Sequence, residues 1–442
     1  MKGEPDFLQN LRAEMGGGRQ WLDRAVVIAY AVLAGLAVVG FTLLADAAFS
    51  LYQSMRSAAW WAPLLWTPAL TALVVWSIRR WARGAVGSGV PQVLVALDAN
   101  TPPEQRARFV SVRLSLAKIG AVAGGLLAGL SIGRQGPSVQ IAAGVMLHAR
   151  HWLSPRSGIS DRELLVAGGA AGIAAAFNTP LGGIVFAIEE LSRRLQDRSS
   201  GLMLAAIVVA GLVSVSAFGN LSYFGRVRAE AVSWWGLLAP GALVALGCGL
   251  LGGLLSRLML ASFTGLPDRF CAYRRKRPVT FAAICGFVVA VIAVISDGAA
   301  VGVGHHHTHL LLDQATVTGG LQGHQPLLFT GLKFIASWLS AWSGVPGGIF
   351  GPSLSLGAGL GADVAWLLNS PHGAALIALG MCGFLAAVTQ TPITAMIIVM
   401  EMTDGHSMVL SLMACALLAS LISRMISRPL YSTMAELMTR RM

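Results

Sequence analysis

Two stretches that contain glycine and proline have the chemistry needed to hold an anion. Residues 133–138 read G-R-Q-G-P-S, and residues 348–353, 215 positions further on, read G-I-F-G-P-S. Glycine permits an irregular backbone, and proline suits the first turn of a new helix. The N-terminus of such a helix presents unpaired N–H groups and about half a positive charge. Two broken helices at matching positions of two chain halves are the strongest sequence indication of a transporter's binding site.

A third helix start, residues 87–91 (G-S-G-V-P), adds a hydroxyl donor at Ser88, and Tyr431 adds another near the chain end. N–H and O–H donors replace the hydration shell of a small anion, whereas a full positive charge in its path would bind it too tightly for release. A lone serine or tyrosine is equally typical of a helix cap or of a membrane interface. Only the combination predicts an anion path.

Charged residues at membrane depth are candidates for pore electrostatics. Lys118 lies within the apolar run 110–132, and Glu401 ends the apolar run 379–400. The alternative for Lys118 is that it reaches an interface or pairs with a carboxylate. We predict that Glu401 pairs inside the helix bundle, with Lys118 as one candidate partner.

Further matches at a nearly constant offset indicate an internal repeat of about 200 residues. The Thr-Pro pairs at 179–180 and 391–392 are 212 positions apart, and so are Glu189 and Glu401. The S-G-V-P matches at 88 and 343 are out of this register and are not counted. The predicted parts are an N-terminal cytoplasmic segment (1–24), a first membrane repeat (25–220), a connecting loop (221–231), a second membrane repeat (232–435) and a C-terminal cytoplasmic tail (436–442).

The composition is that of an integral membrane protein. Of the 442 residues, 55% are hydrophobic and 12% are charged, about half the charged share of a soluble protein. At about 20 residues per span, the length allows ten or more membrane helices. Non-helical backbone at membrane depth is tolerated only where it is buried or lines a cavity, so the broken elements should converge in mid-membrane. The predicted fold class is an all-α polytopic membrane protein with many broken or tilted helices.

The net charge of +12 comes mostly from arginines between apolar runs, which predicts that these loops and both termini are cytoplasmic. No secretory signal peptide is recognisable, and a bare membrane module suits a bacterial inner membrane. Nucleic-acid binding is excluded because no basic, aromatic-bearing soluble domain exists. The partner surface is therefore the lipid bilayer.

Two residue groups invite a metal or redox interpretation. The five cysteines have no paired spacing and are predicted to be packing residues. Residues 305–309 (H-H-H-T-H) are predicted to be a polar loop on the outer face, with a transition-metal site as the alternative. We expect no cofactor and no metal.

The ordered set of motifs resembles the CLC family of chloride channels and chloride/proton exchangers over nearly the whole membrane part. G-S-G-x-P falls on residues 87–91, G-x-F-x-P on 348–352 and the family's tyrosine on Tyr431. The resemblance implies an inverted-topology helical repeat, a homodimer with one pore per subunit, and chloride ions as the transported species.

The resemblance also implies particular roles for residues. The central anion would be held by two hydroxyls and two backbone N–H groups, those of Ser88, Tyr431, Ile349 and Phe350. The outer anion site and gate would fall on Arg134, Gln135 and Gly136. Glu190 matches the inner proton-transfer glutamate of the exchangers, and the alternative is a helix-end charge paired with Arg193 or Arg194.

The chain departs from the family at Gln135, where the family motif G-R-E-G-P has the gating glutamate. Glutamine is nearly isosteric with the protonated acid, but it cannot titrate. This predicts passive chloride conduction without protons, although Glu190 is retained. Two explanations remain open: a natural passive conduit, or an engineered replacement of a native glutamate in a coupled chloride/proton exchanger.

A remote alternative is an intramembrane serine protease that uses Ser88 as its nucleophile. It requires a histidine on a neighbouring span. The histidines lie mostly near segment ends or within residues 305–309. We therefore expect no enzymatic activity.

Overall fold

The computed structural model describes residues 18–192, 200–219, 224, 234–265, 269–317 and 327–440. These residues form 19 α-helices joined by short turns, and they contain no β-strand. Most of the predicted connecting loop 221–231 lies outside the described residues. The predicted all-helical fold class is confirmed.

Nine helices come from the first repeat and are cut at the glycine- and proline-rich breaks seen in the sequence. In chain order they are α1 Gly18–Ala58, α2 Pro63–Trp81, α3 Val90–Leu97, α4 Pro103–Arg106, α5 Val112–Leu127, α6 Gln135–His148, α7 Asp161–Phe177, α8 Pro180–Phe186 and α9 Ser200–Phe218. One turn of π-helix, Ala187–Leu191, continues α8.

Ten helices follow in the second repeat. They are α10 Trp234–Thr264, α11 Arg269–Lys276, α12 Pro278–Ile295, α13 His305–Val317, α14 Leu328–Trp342, α15 Phe350–Leu367, α16 Gly373–Thr389, α17 Pro392–Thr403, α18 Val409–Ile426 and α19 Leu430–Thr439. The histidine run 305–309 opens helix α13, so the prediction of a loop there is wrong. An apolar helical stretch follows the three consecutive histidines, and the helix includes the histidines as its first turn.

Five helices, α1, α9, α10, α12 and α18, are long and apolar enough to cross a membrane by themselves. Other segments are broken in two, as predicted. Helix α7 ends at Asn178 and α16 ends at Gln390, both in the left-handed region with φ of 58° and 59°. Pro180 and Pro392 then open α8 and α17. The same break therefore recurs 212 positions apart, and the chain is a multi-pass membrane protein.

The two repeats meet where their G-x-x-G-P-S stretches cross. The N–H of Gly133 donates to the carbonyl of Gly348 at 2.7 Å, and the N–H of Gly348 donates back to Gly133 at 2.7 Å. Reciprocal bonds between equivalent residues require the two repeats to be related by a pseudo-two-fold axis at this point. Helices α6 and α15, which begin at Gln135 and Phe350, start on either side of that axis.

All five cysteines are buried and free of disulfides, as predicted. Among the described residues, no group of three or more histidine, cysteine, aspartate and glutamate side chains could hold a metal ion.

Candidate functional site

A small cavity lies at the crossing of the two repeats. Its volume is about 80 Å³, and Ser88, Ile349 and Tyr431 line it. The Ser88 and Tyr431 hydroxyls are buried and interact with each other, and neither has a further hydrogen-bond partner among the described residues. One contact between two hydroxyls leaves at least one O–H donor unused, so this pair beside a cavity indicates a place for a ligand. We call this the central cavity, and none of the described residues that line it is a histidine.

The start of helix α15 gives the central cavity its backbone donors. Ile349 precedes the helix and Phe350 is its first residue, where N–H groups have no partner within the helix. The ring of Tyr431 stacks on that of Phe350, with centroids 5.8 Å apart and planes 18° apart. Phe177 and Phe186 meet Phe350 edge-on, at 5.9 and 6.2 Å. This aromatic cluster holds the tyrosine hydroxyl in place.

Lys118 positions the loop that carries Ser88. The lysine is fully buried, and its Nζ donates to the carbonyls of Ala85 and Gly87, each at 2.7 Å. Gly87 and Gly89, on either side of Ser88, have φ of 97° and 114°, which glycine alone adopts readily. The lysine therefore stabilises a turn that other residues would strain.

Gln135 lies at the N-terminus of helix α6 and is 1% exposed. Its Oε1 has no hydrogen-bond partner among the described residues. A methyl group placed on Gly133 or on Gly351 would lie 2.8 or 3.1 Å from that oxygen. The amide thus lies between the starts of α6 and α15. A methyl group placed on the adjacent Gly136 would lie 2.5 Å from Ser88 Oγ. The predicted outer anion site at Gln135 and Gly136 therefore adjoins the central cavity.

Arg134 lies next to Gln135, on the side of an open cleft. Its guanidinium is 3% exposed and forms an ion pair with Asp46 of helix α1. Asp46 also lines an open cleft of about 700 Å³ together with Arg56 and His305. The predicted outer residues are thus buried next to a wide opening.

Glu190 lies on the π-helical turn after α8 and is partly buried. It lines a second open cleft, of about 870 Å³, together with Arg162, Arg424 and Arg440. Pro429 also lines this cleft, two residues before Tyr431. The alternative partners Arg193 and Arg194 lie outside the described residues.

The predicted pairing of Glu401 with Lys118 is wrong. Glu401 instead accepts hydrogen bonds from the N–H groups of Leu181 and Gly182, at 3.2 and 2.8 Å, and so caps helix α8 of the other repeat. A helix N-terminus stabilises a carboxylate, and the Nζ of Lys118 already donates to two carbonyls. Lys118 is therefore satisfied by the backbone alone.

Glu189 makes the reciprocal contact. It accepts from the N–H groups of Ile393 and Thr394, at 3.2 and 2.7 Å, and from the Thr394 hydroxyl at 2.7 Å, at the start of α17. Each repeat thus caps a helix of the other with an equivalent glutamate. We call these two contacts the crossed caps. They fix the turn that carries Glu190, the residue after Glu189.

Removing a crossed cap should destabilise the fold. Glu401→Ala leaves two helix N–H groups without their carboxylate, and the expected loss is about 1–3 kcal/mol of unfolding free energy. The measurement is the midpoint of thermal unfolding in detergent. Glu104→Ala, at an exposed position of α4, is the control and should leave the midpoint unchanged. Equal midpoints for both variants would contradict the role of the cap.

The sequence analysis missed Lys333. It lies 215 positions after Lys118, is fully buried, and donates from Nζ to the carbonyl of Gly302 at 2.8 Å. Gly302 is 215 positions after Gly87 and also has positive φ, at 65°. The offset of 215 residues between the repeats would therefore have identified Lys333 from the sequence. In that register the counterpart of Ser88 is Val303, which has no hydroxyl.

Fold and cavity together define a polytopic membrane protein built from two inverted repeats, with buried hydrogen-bond donors at their crossing. A family model described as voltage gated chloride channel matches residues 70–424. The chain therefore belongs to this family, the CLC family, as the motifs indicated.

Curated relatives agree with this assignment. The chain is 31% identical over 433 residues to the H(+)/Cl(-) exchange transporter ClcA of Salmonella paratyphi A, covering 91% of this chain and 88% of that protein. It is 30% identical over 403 residues to the ClcA of Vibrio parahaemolyticus, covering 84% and 79%.

Solved structures share the fold. A slow cyanobacterial Cl-/H+ antiporter has a TM-score of 0.78 at 21% identity, covering 95% of this chain and 99% of that one. A CLC-type fluoride/proton antiporter has a TM-score of 0.73 at 18% identity, covering 97% and 99%.

Proposed function

We propose that the protein transports chloride across a bacterial inner membrane as a homodimer with one pore per subunit and cytoplasmic termini. The observation that carries this proposal is the pair of buried hydroxyls of Ser88 and Tyr431, which have no partner beyond each other among the described residues and lie beside the start of helix α15. Chloride accepts hydrogen bonds from exactly such neutral donors without being trapped by a full charge. The names of the curated relatives support the same ion.

We further propose that the transport is passive and is not coupled to protons. Gln135 occupies the position between the two helix starts where a carboxylate would compete with the anion. Its amide cannot ionise, so it neither repels chloride nor carries a proton. Proton transfer through Glu190 would then end at a position that holds no titratable group.

Coupled chloride/proton exchange is the second candidate. Glu190 stands on its turn beside an open cleft, and the ClcA relatives are named exchange transporters. This candidate holds if Gln135 replaces a native glutamate. The crossed caps would then keep Glu190 in place for proton transfer.

Chloride efflux from liposomes tests the transport itself. Purified protein is reconstituted, a potassium gradient is set, and valinomycin is added to release the counter-ion. The expected result is rapid chloride efflux, far above that of protein-free liposomes, and little efflux of isethionate. Efflux no faster than from empty liposomes, with protein that remains monodisperse, would contradict the proposal.

A further inference from the structure

Residues 302–304 (G-V-G) repeat the loop that carries Ser88 (G-S-G), with Val303 in place of the serine. Both glycines of this second loop have positive φ, at 65° and 91°, as the glycines on either side of Ser88 do. Lys333 donates to a carbonyl of the second loop at 2.8 Å, in the way that Lys118 holds the first. The two loops therefore share a backbone conformation and differ in the side chain between the glycines.

Val303 also has the same kind of neighbour as Ser88. A methyl group placed on Gly351 would lie 2.5 Å from Val303 Cγ1, and one placed on Gly136, 215 positions earlier, would lie 2.5 Å from Ser88 Oγ. These glycines are the second residues of helices α15 and α6. Each loop therefore places one side chain against the start of a broken helix, and the side chain of Val303 brings no hydrogen-bond donor.

The amide of Gln135 lies at the same point. A methyl group on Gly351 would lie 3.1 Å from Gln135 Oε1 and 3.4 Å from Nε2. Val303 and this amide are therefore neighbours at the predicted outer anion site. Gln135 is 1% exposed, and its Oε1 has no hydrogen-bond partner among the described residues. A serine in place of Val303 would offer a hydroxyl there, whereas the isopropyl group offers none.

Val303 lies at the inner end of the open cleft beside Arg134. Val301 and Gly304 line that cleft, of about 700 Å³, whereas Val303 is 4% exposed and is not among the described residues that line it. Val303 belongs to a buried apolar cluster together with Ile132. An ion that moves from the cleft to the outer anion site therefore loses water beside an apolar side chain.

An apolar wall at this place affects anions unequally. A buried ion loses its hydration shell, and hydrogen-bond donors of the protein must replace it. The helix starts supply N–H donors at the outer anion site, but Val303 supplies no donor on its side. The shortfall costs a small anion more than a large one, because the higher charge density of a small anion binds water more strongly.

We propose that Val303 is a selectivity-determining residue of the outer anion site. Its isopropyl group forms an apolar wall there, which disfavours small, strongly hydrated monovalent anions, such as fluoride, relative to chloride. The inference deepens the proposed function and rests on it, because the anions selected are the ones transported. Ser88 gives the central cavity a hydroxyl, so the selection against fluoride lies at the outer anion site.

The test compares Val303→Thr with Val301→Thr. Threonine has nearly the shape of valine and adds one hydroxyl, so Val303→Thr isolates the effect of a donor. Val301 is equally buried, at 2% exposed, and lines the cleft, so its variant is the matched control. Efflux of chloride and of fluoride from liposomes is followed with ion-selective electrodes, with valinomycin to release potassium and with protein-free liposomes to correct for leakage.

Val303→Thr should raise the ratio of fluoride flux to chloride flux by roughly tenfold, because a hydrogen bond to a charged group contributes about that factor. Val301→Thr should change this ratio less than about twofold, because its hydroxyl gains no place beside Gln135. If Val303→Thr changes the ratio no more than Val301→Thr does, the proposal is overturned.

Val303→Ala separates polarity from space. It widens the site without adding a donor, so the flux ratio should stay within about twofold of that of the unsubstituted protein. A ratio raised as much by Val303→Ala as by Val303→Thr would overturn the proposal, because space alone would then set the selectivity. If the threonine variant is not monodisperse, Val303→Ser takes its place, because it differs from Val303→Ala by one oxygen.

Anion binding distinguishes this proposal from the proposed function. Calorimetry measures the affinities of the detergent-purified protein for chloride and for fluoride. If the unsubstituted protein binds chloride but moves none, the proposed function fails, and the relative affinities of Val303→Thr still test the role of Val303. If transport is observed but Val303→Thr and the unsubstituted protein have equal ratios of fluoride to chloride affinity, the role of Val303 is overturned and the proposed function stands.

Discussion

Replacing Gln135 by glutamate is expected to slow chloride flux at neutral pH and to make that flux depend on pH. The carboxylate would lie between the starts of α6 and α15, where the amide lies now. Two like charges at about 4 Å repel by about 4 kcal/mol at an effective dielectric constant of about 20, and about 1.4 kcal/mol is tenfold. The carboxylate therefore excludes chloride from the outer position, and flux should fall by roughly tenfold or more.

The direction of the pH effect follows from the same charge. Protonation restores a neutral group of nearly the same shape, so flux should recover as the pH is lowered. Gln135→Ala is the control, because it removes the amide without adding a titratable group, and its flux should stay independent of pH. A Gln135→Glu variant whose flux matches that of the unsubstituted protein at both pH extremes would contradict this location for the gate.

Gly380→Ala is expected to prevent stable folding. Gly380 of α16 and Gly357 of α15 are in contact backbone to backbone, and a methyl group on either one would overlap the other's carbonyl oxygen. Helix α15, which begins at Phe350, would have to separate from helix α16, and overpacking of this kind costs about 1–3 kcal/mol and occasionally more. We expect little monodisperse protein after purification.

Gly331→Ala is the matched control for this prediction. Gly331 lies in helix α14 of the same repeat, and a methyl group there would meet no atom within 4 Å. Alanine also suits a helix interior better than glycine. Size-exclusion profiles and unfolding midpoints of the two variants provide the comparison. Equal yields and unfolding midpoints for Gly380→Ala and Gly331→Ala would show that α15 and α16 can move apart enough to accommodate the methyl group, which would contradict the prediction.

The sequence predicted the parts of the fold that depend on local backbone chemistry. The breaks at Asn178 and Gln390, the helix starts at Gln135 and Phe350, and the repeat offset all follow from glycine, proline and spacing. These features are readable because they restrict the dihedral angles of a few adjacent residues. The inverted relation of the repeats was implied by the family resemblance, because a repeat offset alone does not give the direction of the second half.

Contacts between distant residues could not be predicted in this way. Glu401 had several possible partners, and only the tertiary structure shows that it caps α8 of the other repeat. The histidines at 305–307 looked like a loop because their polarity hides the helical pattern of the residues after them. Arg274 was one of four consecutive basic residues, Arg274, Arg275, Lys276 and Arg277, and nothing local indicated that its guanidinium lies over the Trp342 ring.

The constant offset between the repeats predicts more equivalent residues than the sequence analysis identified. Applied to Lys118, the offset of 215 leads to Lys333, and applied to Gly87 it leads to Gly302. In each repeat the lysine Nζ donates to the glycine carbonyl, Lys118 to Gly87 and Lys333 to Gly302. Ser88 has no such counterpart, because Val303 stands in its place. The hydroxyl donor therefore belongs to one half only, which makes the path chemically asymmetric.

The most direct test of the account measures chloride and proton flux together from liposomes that contain the unsubstituted protein. A chloride gradient is imposed at equal pH on both sides, potassium and valinomycin carry the compensating charge, and the pH of the outer solution is recorded as chloride leaves. The account predicts chloride efflux with no proton movement beyond that of protein-free liposomes. Proton uptake that runs uphill and stops when the chloride gradient is removed would contradict it, because Gln135 would then not be a barrier to coupling.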